Sequence, residues 1–231
     1  MATKSKKNIE YRYERKFTTN QLDFKEVESI VKSLPLMFKK IYQQRKVNSL
    51  YLDTMDHSNY EKHVSGVEKR LKIRIRWYGD TFGEVRDPVL EIKIRKGLLG
   101  RKKSYALKRF RIEKTFSWKS FFKEVFLKSR LPKSLLGELR FVKPMAIISY
   151  EREYFSSADK RYRITIDKNL CFYKVNINNN QFIEKGTEKE LVVIEIKYNR
   201  INDINIRLIT GSLPFRLTAM SKYLYAVDLL Y

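Results

Sequence analysis

The sequence predicts an α+β fold: an antiparallel eight-stranded β-tunnel, closed as a barrel, with flanking helices. Three observations carry this. Eight segments alternate with period two, almost every one of them splits into an apolar and an ionic face, and three further stretches repeat apolar residues at helical spacing. The 231 residues include only 8 Gly and 5 Pro, with no linker-like run and no internal repeat, so one domain is expected over residues 10–231 behind a basic tail at 1–9.

The alternating segments fall near 10–17, 47–53, 71–78, 90–95, 107–113, 147–154, 161–167 and 191–198. Turn-rich breaks at 79–88, 97–103, 176–188 and 211–214 separate several of them. Residues i and i+2 of a strand project to the same side. In 71–78, Leu71, Ile73, Ile75 and Trp77 therefore oppose Lys72, Arg74, Arg76 and Tyr78, and in 90–95, Leu90, Ile92 and Ile94 oppose Glu91, Lys93 and Arg95. Tyr162, Ile164 and Ile166 oppose Arg161, Arg163, Thr165 and Asp167, and Val192, Ile194 and Ile196 oppose a face ending in Glu195 and Lys197. Glu10, Arg12, Glu14 and Lys16 share a face against Tyr11, Tyr13 and Phe17. Helical spacing appears at 20–34, at 117–130 with Ser117 as its N-cap, and at 216–230.

Alternation alone also fits an ordinary antiparallel sheet with one wet side. The prominence of Arg, with a carboxylate often two residues away, favours the other arrangement, because Arg grips planar anionic groups with paired donors. Ionic faces turned inward and apolar faces clad by helices satisfy both patterns.

Lys plus Arg number 49 against 26 Asp plus Glu, a formal charge of +23 that calls for a polyanionic partner: nucleic acid, anionic lipid or polyphosphate. The 43% hydrophobic and 13% aromatic content excludes a disordered chain. Cys171 stands alone, which excludes an internal disulfide and a cysteine zinc cluster, and His57 and His63 lack zinc-helix spacing. Neither a P-loop nor a dinucleotide fingerprint occurs. With no signal-peptide run and no apolar stretch of the about 18 residues a span requires, a cytoplasmic chain is expected.

The runs YRYERKF, NSLYLDT, LKIRIRWYG, LEIKIRKG, SYEREYF, YRITIDKNL, VIEIKY and TAMSKYLYAV, in that order, resemble the polyphosphate polymerase domain of the vacuolar transporter chaperone family, among the triphosphate tunnel metalloenzymes. The resemblance implies a phosphate chain lying along the tunnel on Lys16, Arg74, Arg76, Lys93, Arg152, Arg163, Lys197 and Lys222, with Tyr150 and Ser221 hydrogen-bonding it. It also implies Glu195 as ligand of Mn²⁺ or Mg²⁺, and catalytic roles for Arg74, Arg76, Lys93 and Arg163. Spacing leaves Lys103, Lys108 and Arg109 as alternatives for one more contact, of which Arg109 is the choice. The tunnel signature E-x-E-x-K becomes Arg12-Tyr13-Glu14-Arg15-Lys16, one metal ligand fewer, which favours the polymerase branch.

Bland alternatives stand beside these roles: Arg74, Arg76 and Arg163 paired with Glu91, Glu14 or Glu195, and Ser221 as helix surface. The partners implied are ATP, phosphate and polyphosphate, with no DNA expected and a membrane-protein partner left open. Two other functions remain open: a tripolyphosphatase using the same lumen, or a non-catalytic binder of polyphosphate or RNA on a basic exterior, salt-sensitive and metal-independent.

Overall fold

The computed structural model describes residues 12–96, 99–178 and 180–231. The expected 1–9 tail, with Glu10 and Tyr11 of the first expected strand, lies outside them. In chain order the elements are β1 (Arg12–Thr19), α1 (Phe24–Ser33), β2 (Lys39–Thr54), α2 (Ser58–Val64), β3 (Lys69–Tyr78), β4 (Gly83–Val85), β5 (Val89–Lys96), β6 (Leu99–Ala106) and β7 (Phe110–Ile112). There follow α3 (Trp118–Phe121), which runs on as a π-helical turn to Phe126, then α4 (Lys133–Leu139), β8 (Val142–Ser156), β9 (Tyr162–Lys174), β10 (Lys185–Glu188) and β11 (Val192–Asn199). A 3₁₀ turn at Arg200–Asn205 leads into α5 (Ile206–Thr210), β12 (Arg216–Thr218) and α6 (Lys222–Leu230).

One antiparallel sheet dominates, in the order β12-β1-β11-β9-β8-β2-β3-β5-β6, with β10 paired to the far end of β9; β4 and β7 form a separate pair. Eight of these are long strands, the expected number. No ladder joins β12 to β6 among the described residues, so hydrogen bonds do not close the expected barrel. Side chains bridge the curled sheet instead: Lys93 on β5 donates to Glu14 on β1 at 3.2 Å.

The strand set differs from expectation in one member. Of the expected turn at 97–103, residues 99–103 belong to β6, which lacks apolar alternation and is held by its ladder to β5, and 97–98 lie outside the described residues. Of the expected strand 107–113 only Phe110–Ile112 is extended, and it pairs with β4, outside the main sheet.

The convex face follows the period-two pattern. Ile73, Ile75 and Trp77 of β3 join Leu50, Leu52, Leu90 and Ile92 against Trp118, Phe121, Phe126 and Leu139. On the other flank Ile164, Ile166, Ile194 and Ile196 pack on Val27 and Val31 of α1 and Ile206 and Ile209 of α5. Each such side chain, fully buried, stabilises the fold by about 1.5–3 kcal/mol, which is what turns these faces outward onto helices and leaves the ionic faces inward. Helix α1 begins at Phe24 because Asp23 and Glu26 form a reciprocal capping box there. Ser117 does stand at the N-cap of α3, but its side chain makes no capping bond.

The third apolar cluster lies on the concave side. The expected helix at 216–230 is split into β12 and α6, and α6 inserts Tyr223, Ala226 and Val227 among Val47, Tyr51, Ala146, Ile148 and Val193. Tyr223 stacks on Tyr51 with centroids 5.2 Å apart, and its hydroxyl donates to the fully buried Asp53. Asp53 also accepts the backbone N–H groups of Asn59 and Tyr60, which ties α2 to the same point. The C-terminal helix thus fills one part of the concave face and sets its N-terminus against what remains.

Candidate active site

What remains is a lumen with a cavity volume of about 180 Å³, lined by ten Lys and Arg side chains and three carboxylates. The imbalance of charge leaves room for an anion.

Three groups of side chains build it. In the first, Arg152 on β8 donates from Nε and Nη2 to the two oxygens of Asp167 on β9, at 2.5 and 2.7 Å, and Lys222 at the start of α6 reaches the same carboxylate at 2.6 Å. Both cations lie over the Tyr150 ring. Burial raises the Asp167 pKa, but Arg152 and Lys222 outweigh it and hold the carboxyl below its usual range. In the second, Glu91 on β5 takes Arg74 at 2.7 Å, Lys102 at 2.9 Å and Arg76 at 3.5 Å, while Arg74 also donates to the Tyr51 hydroxyl at 3.2 Å. The Arg76 Nε and Arg70 Nε are buried with no acceptor.

The third group surrounds Glu195 on β11. Lys197 lies 3.0 Å and Arg152 3.6 Å from its carboxylate, and the Glu14 carboxyl comes within hydrogen-bonding reach. Burial pushes the Glu195 pKa up; Lys197, the contact with Glu14, Lys16 and Arg152 override it, so the group is held well below the normal range and stays ionised. Lys16 pairs with Glu14 at 3.2 Å. Facing this group, Lys72 donates to the Ser221 Oγ at 2.8 Å. Burial, then the neighbouring Lys16, Lys93 and Arg74, push the Lys72 pKa down to about 6.

Of the residues expected from sequence, Lys16, Arg74, Arg76, Lys93, Tyr150, Arg152, Glu195, Lys197, Ser221 and Lys222 come together around this lumen. Arg109 and Arg163 do not. Arg109 precedes β7, on the exterior, with its side chain 79% exposed and only a 3.9 Å pairing to Glu84. The additional lysine is Lys102: β6 pairs it with Lys93, on the same face. Arg163 shares its strand face with Thr165 and Asp167 but sits near the start of β9, opposite Lys197 and Ser156, and is exposed to solvent. Ser221, far from helix surface, is buried as the N-cap of α6 and accepts from the Leu224 N–H.

Several lumen residues were not singled out as ligands: Arg70, Lys72, Lys102, Tyr51, Glu14 and Glu91, with Asp167 behind Arg152. Parity carried a signal for Lys72 and Glu91, which share faces with Arg74 and Lys93. The pairing of Arg74 and Arg76 with Glu91, held open in the sequence, is present, so these arginines are already oriented.

A curled antiparallel sheet around a cation-lined lumen, with a C-terminal helix set into it, defines a tunnel-type fold. The chain belongs to the VTC domain family, whose model matches residues 11–231. A search of curated proteins found no match. Among solved structures it is similar to HpAC1 from Hippeastrum, a candidate adenylyl cyclase with a dominant triphosphatase activity, at TM-score 0.54 and 13% identity over 95% of this chain and 96% of that one. It is also similar to a candidate adenylate cyclase from Vibrio parahaemolyticus, at TM-score 0.51 and 10% identity over 93% and 96%. These likenesses are to fold alone. No helix among the described residues is long and apolar enough to cross a membrane.

Proposed function

We propose that this protein is a divalent-metal-dependent phosphotransferase that holds the triphosphate of ATP in the lumen and moves its terminal phosphoryl group onto phosphate or a growing polyphosphate. The observation that carries it is the convergence of ten cations against three carboxylates in one enclosed space, two of the guanidinium groups keeping a buried donor unpaired. Buried donors without acceptors are rare in folded proteins, so an anionic ligand is the natural complement. Membership of the VTC domain family supports the same reading.

Phosphoryl transfer depends on positioning and charge neutralisation more than on covalent help. Arg74 and Arg76 are held by Glu91, and Arg152 by Asp167, so their outward N–H groups are fixed before the ligand arrives. Preorganised donors of this kind stabilise charge that develops on the transferring group and the departing diphosphate. Lys222 and Ser221, at the N-terminus of α6, add donors beside Arg152 and Lys72.

The donor set fits a hard divalent cation. Glu195 with Glu14 beside it supplies a carboxylate pair, and Mg²⁺ is commonly held by one or two carboxylates with phosphate oxygens and water completing the shell. No cluster of three or more His, Cys, Asp or Glu suited to a metal occurs among the described residues, so substrate oxygens would complete the set. When bound, the cation neutralises charge on the phosphate chain.

Hydrolysis is the second reading, favoured by the triphosphatase activity of the structurally similar HpAC1. Incubation of the purified protein with ATP and Mn²⁺, followed by separation of products, tests both. ADP with long chains supports the polymerase, ADP with free phosphate the hydrolase, and intact ATP sinks the enzymatic reading. An exterior polyanion binder is disfavoured because Arg74, Arg76 and Arg152 turn inward.

A further inference from the structure

Beyond Arg152 and Tyr150 the lining of the curled sheet changes from charged groups to rings. Arg45 on β2 is the register partner of Arg152, and Tyr42 that of Tyr154. Val47 pairs with both Tyr150 and Tyr78, so Arg45, Tyr78 and Tyr154 share the face that carries Arg76 and Arg152. The Arg45 guanidinium lies 4.9 Å from the Tyr42 ring centroid, 5.7 Å from that of Tyr78 and 5.8 Å from that of Tyr154. Tyr42 and Tyr154 meet edge to face at 5.6 Å. Tyr42 is 49% and Tyr78 51% exposed, so both present ring surface to solvent. Among the described residues no carboxylate lies within ion-pair distance of Arg45.

We propose that this tyrosine collar around Arg45 is the nucleobase subsite of a nucleoside triphosphate whose phosphates occupy the lumen, an inference that rests on the lumen reading above. A phosphate chain gains little from ring faces, whose π-clouds are electron-rich. A nucleobase gains from both ring and guanidinium, stacking on the one and on the plane of the other. Tyr154 stands two residues beyond Arg152, about 7 Å along the strand, a spacing that a ribose spans between phosphate and base. Stacking without edge hydrogen bonds predicts weak choice among bases, with purines ahead of pyrimidines because their faces are larger.

The test is calorimetric titration with ATP and, separately, with inorganic tripolyphosphate, both with EDTA present. The proteins are wild type, Tyr42→Ala/Tyr78→Ala and Tyr42→Phe/Tyr78→Phe. The Ala pair is expected to bind ATP about tenfold more weakly, within the range of base–aromatic stacking, with tripolyphosphate affinity unchanged. The Phe pair keeps the ring faces and binds both ligands as wild type does. Unchanged ATP affinity in the Ala pair overturns the proposal, as does an equal loss for ATP and tripolyphosphate. If the Ala pair melts below the assay temperature, Tyr42→Ala alone is read in the same way. Wild-type protein that binds neither ligand overturns the lumen reading and the collar with it, whereas tripolyphosphate binding with collar-independent ATP binding overturns the collar only.

Discussion

Lys72→Met removes a lumen cation whose charge is suppressed before any ligand arrives. Burial and the adjacent Lys16, Lys93 and Arg74 bring its pKa down to about 6, with Glu14 opposing, so at pH 8 the wild-type side chain is neutral. A triphosphate placed among the same cations reverses the local field and favours the ammonium form, so binding takes up a proton. By linkage, in the window between about 6 and the pKa of the bound state, each pH unit weakens binding by up to about tenfold, or about 1.36 kcal/mol. At pH 8 the ligand contributes little of this, because a terminal phosphate monoester titrates near about pH 6. Titration of ATP at pH 8, with EDTA, in two buffers of different ionisation enthalpy reads the proton count directly. Nearly one proton is expected for wild type and close to none for Lys72→Met. Buffer-independent enthalpy in wild type, or an unchanged count in the variant, refutes the reasoning. The same shift fixes a sign for the ligand-free fold. The unfolded chain holds the Lys72 proton up to about pH 10.4, so from this group stability rises with pH between about 6 and about 10.4.

Three further outcomes follow from the charge pairs. Glu195→Gln keeps shape and burial while removing an ionised oxygen ligand, and is expected to abolish metal-dependent ATP turnover with little change in the thermal melt; wild-type turnover with unchanged metal dependence removes Glu195 from the metal site. Arg76→Ala is expected to weaken tripolyphosphate binding by about 2–5 kcal/mol, the loss typical when one partner of a buried charge contact goes. Lys119→Ala/Lys123→Ala, on the exterior, is expected to change it little at moderate salt; a larger loss there than in Arg76→Ala favours an exterior binder. Asp167→Asn leaves Arg152 and Lys222 without their shared carboxylate, for an expected loss of about 3–5 kcal/mol in denaturant unfolding. Because the folded Asp167 pKa is depressed, its contribution is present above about pH 3.9 and is lost as pH falls through the lower folded value, which places this part of acid unfolding below pH 4.

The sequence by itself determined which side chains share a face. Period two in 71–78 and 90–95 set Arg74, Arg76 and Lys93 apart from Ile73, Ile75 and Ile92, and burial of the apolar set directs the cations to the concave side. Family-like motifs extended that reading to Lys16, Glu195, Ser221 and Lys222. Only the tertiary structure decided how far along each strand the lumen reaches, leaving Arg163 in solvent while Asp167, four residues on, is buried. It also decided that Lys102 rather than Arg109 completes the lining, because β6 is held by its ladder to β5 and carries no apolar period of its own. The placement of α6 on the concave side was equally hidden, since Tyr223, Ala226 and Val227 meet their partners on β2, β8 and β11, up to 180 residues away in sequence. Alternation is a local property fixed by backbone geometry, whereas register, curvature and the pairing of Glu91 with three cations depend on contacts between distant strands.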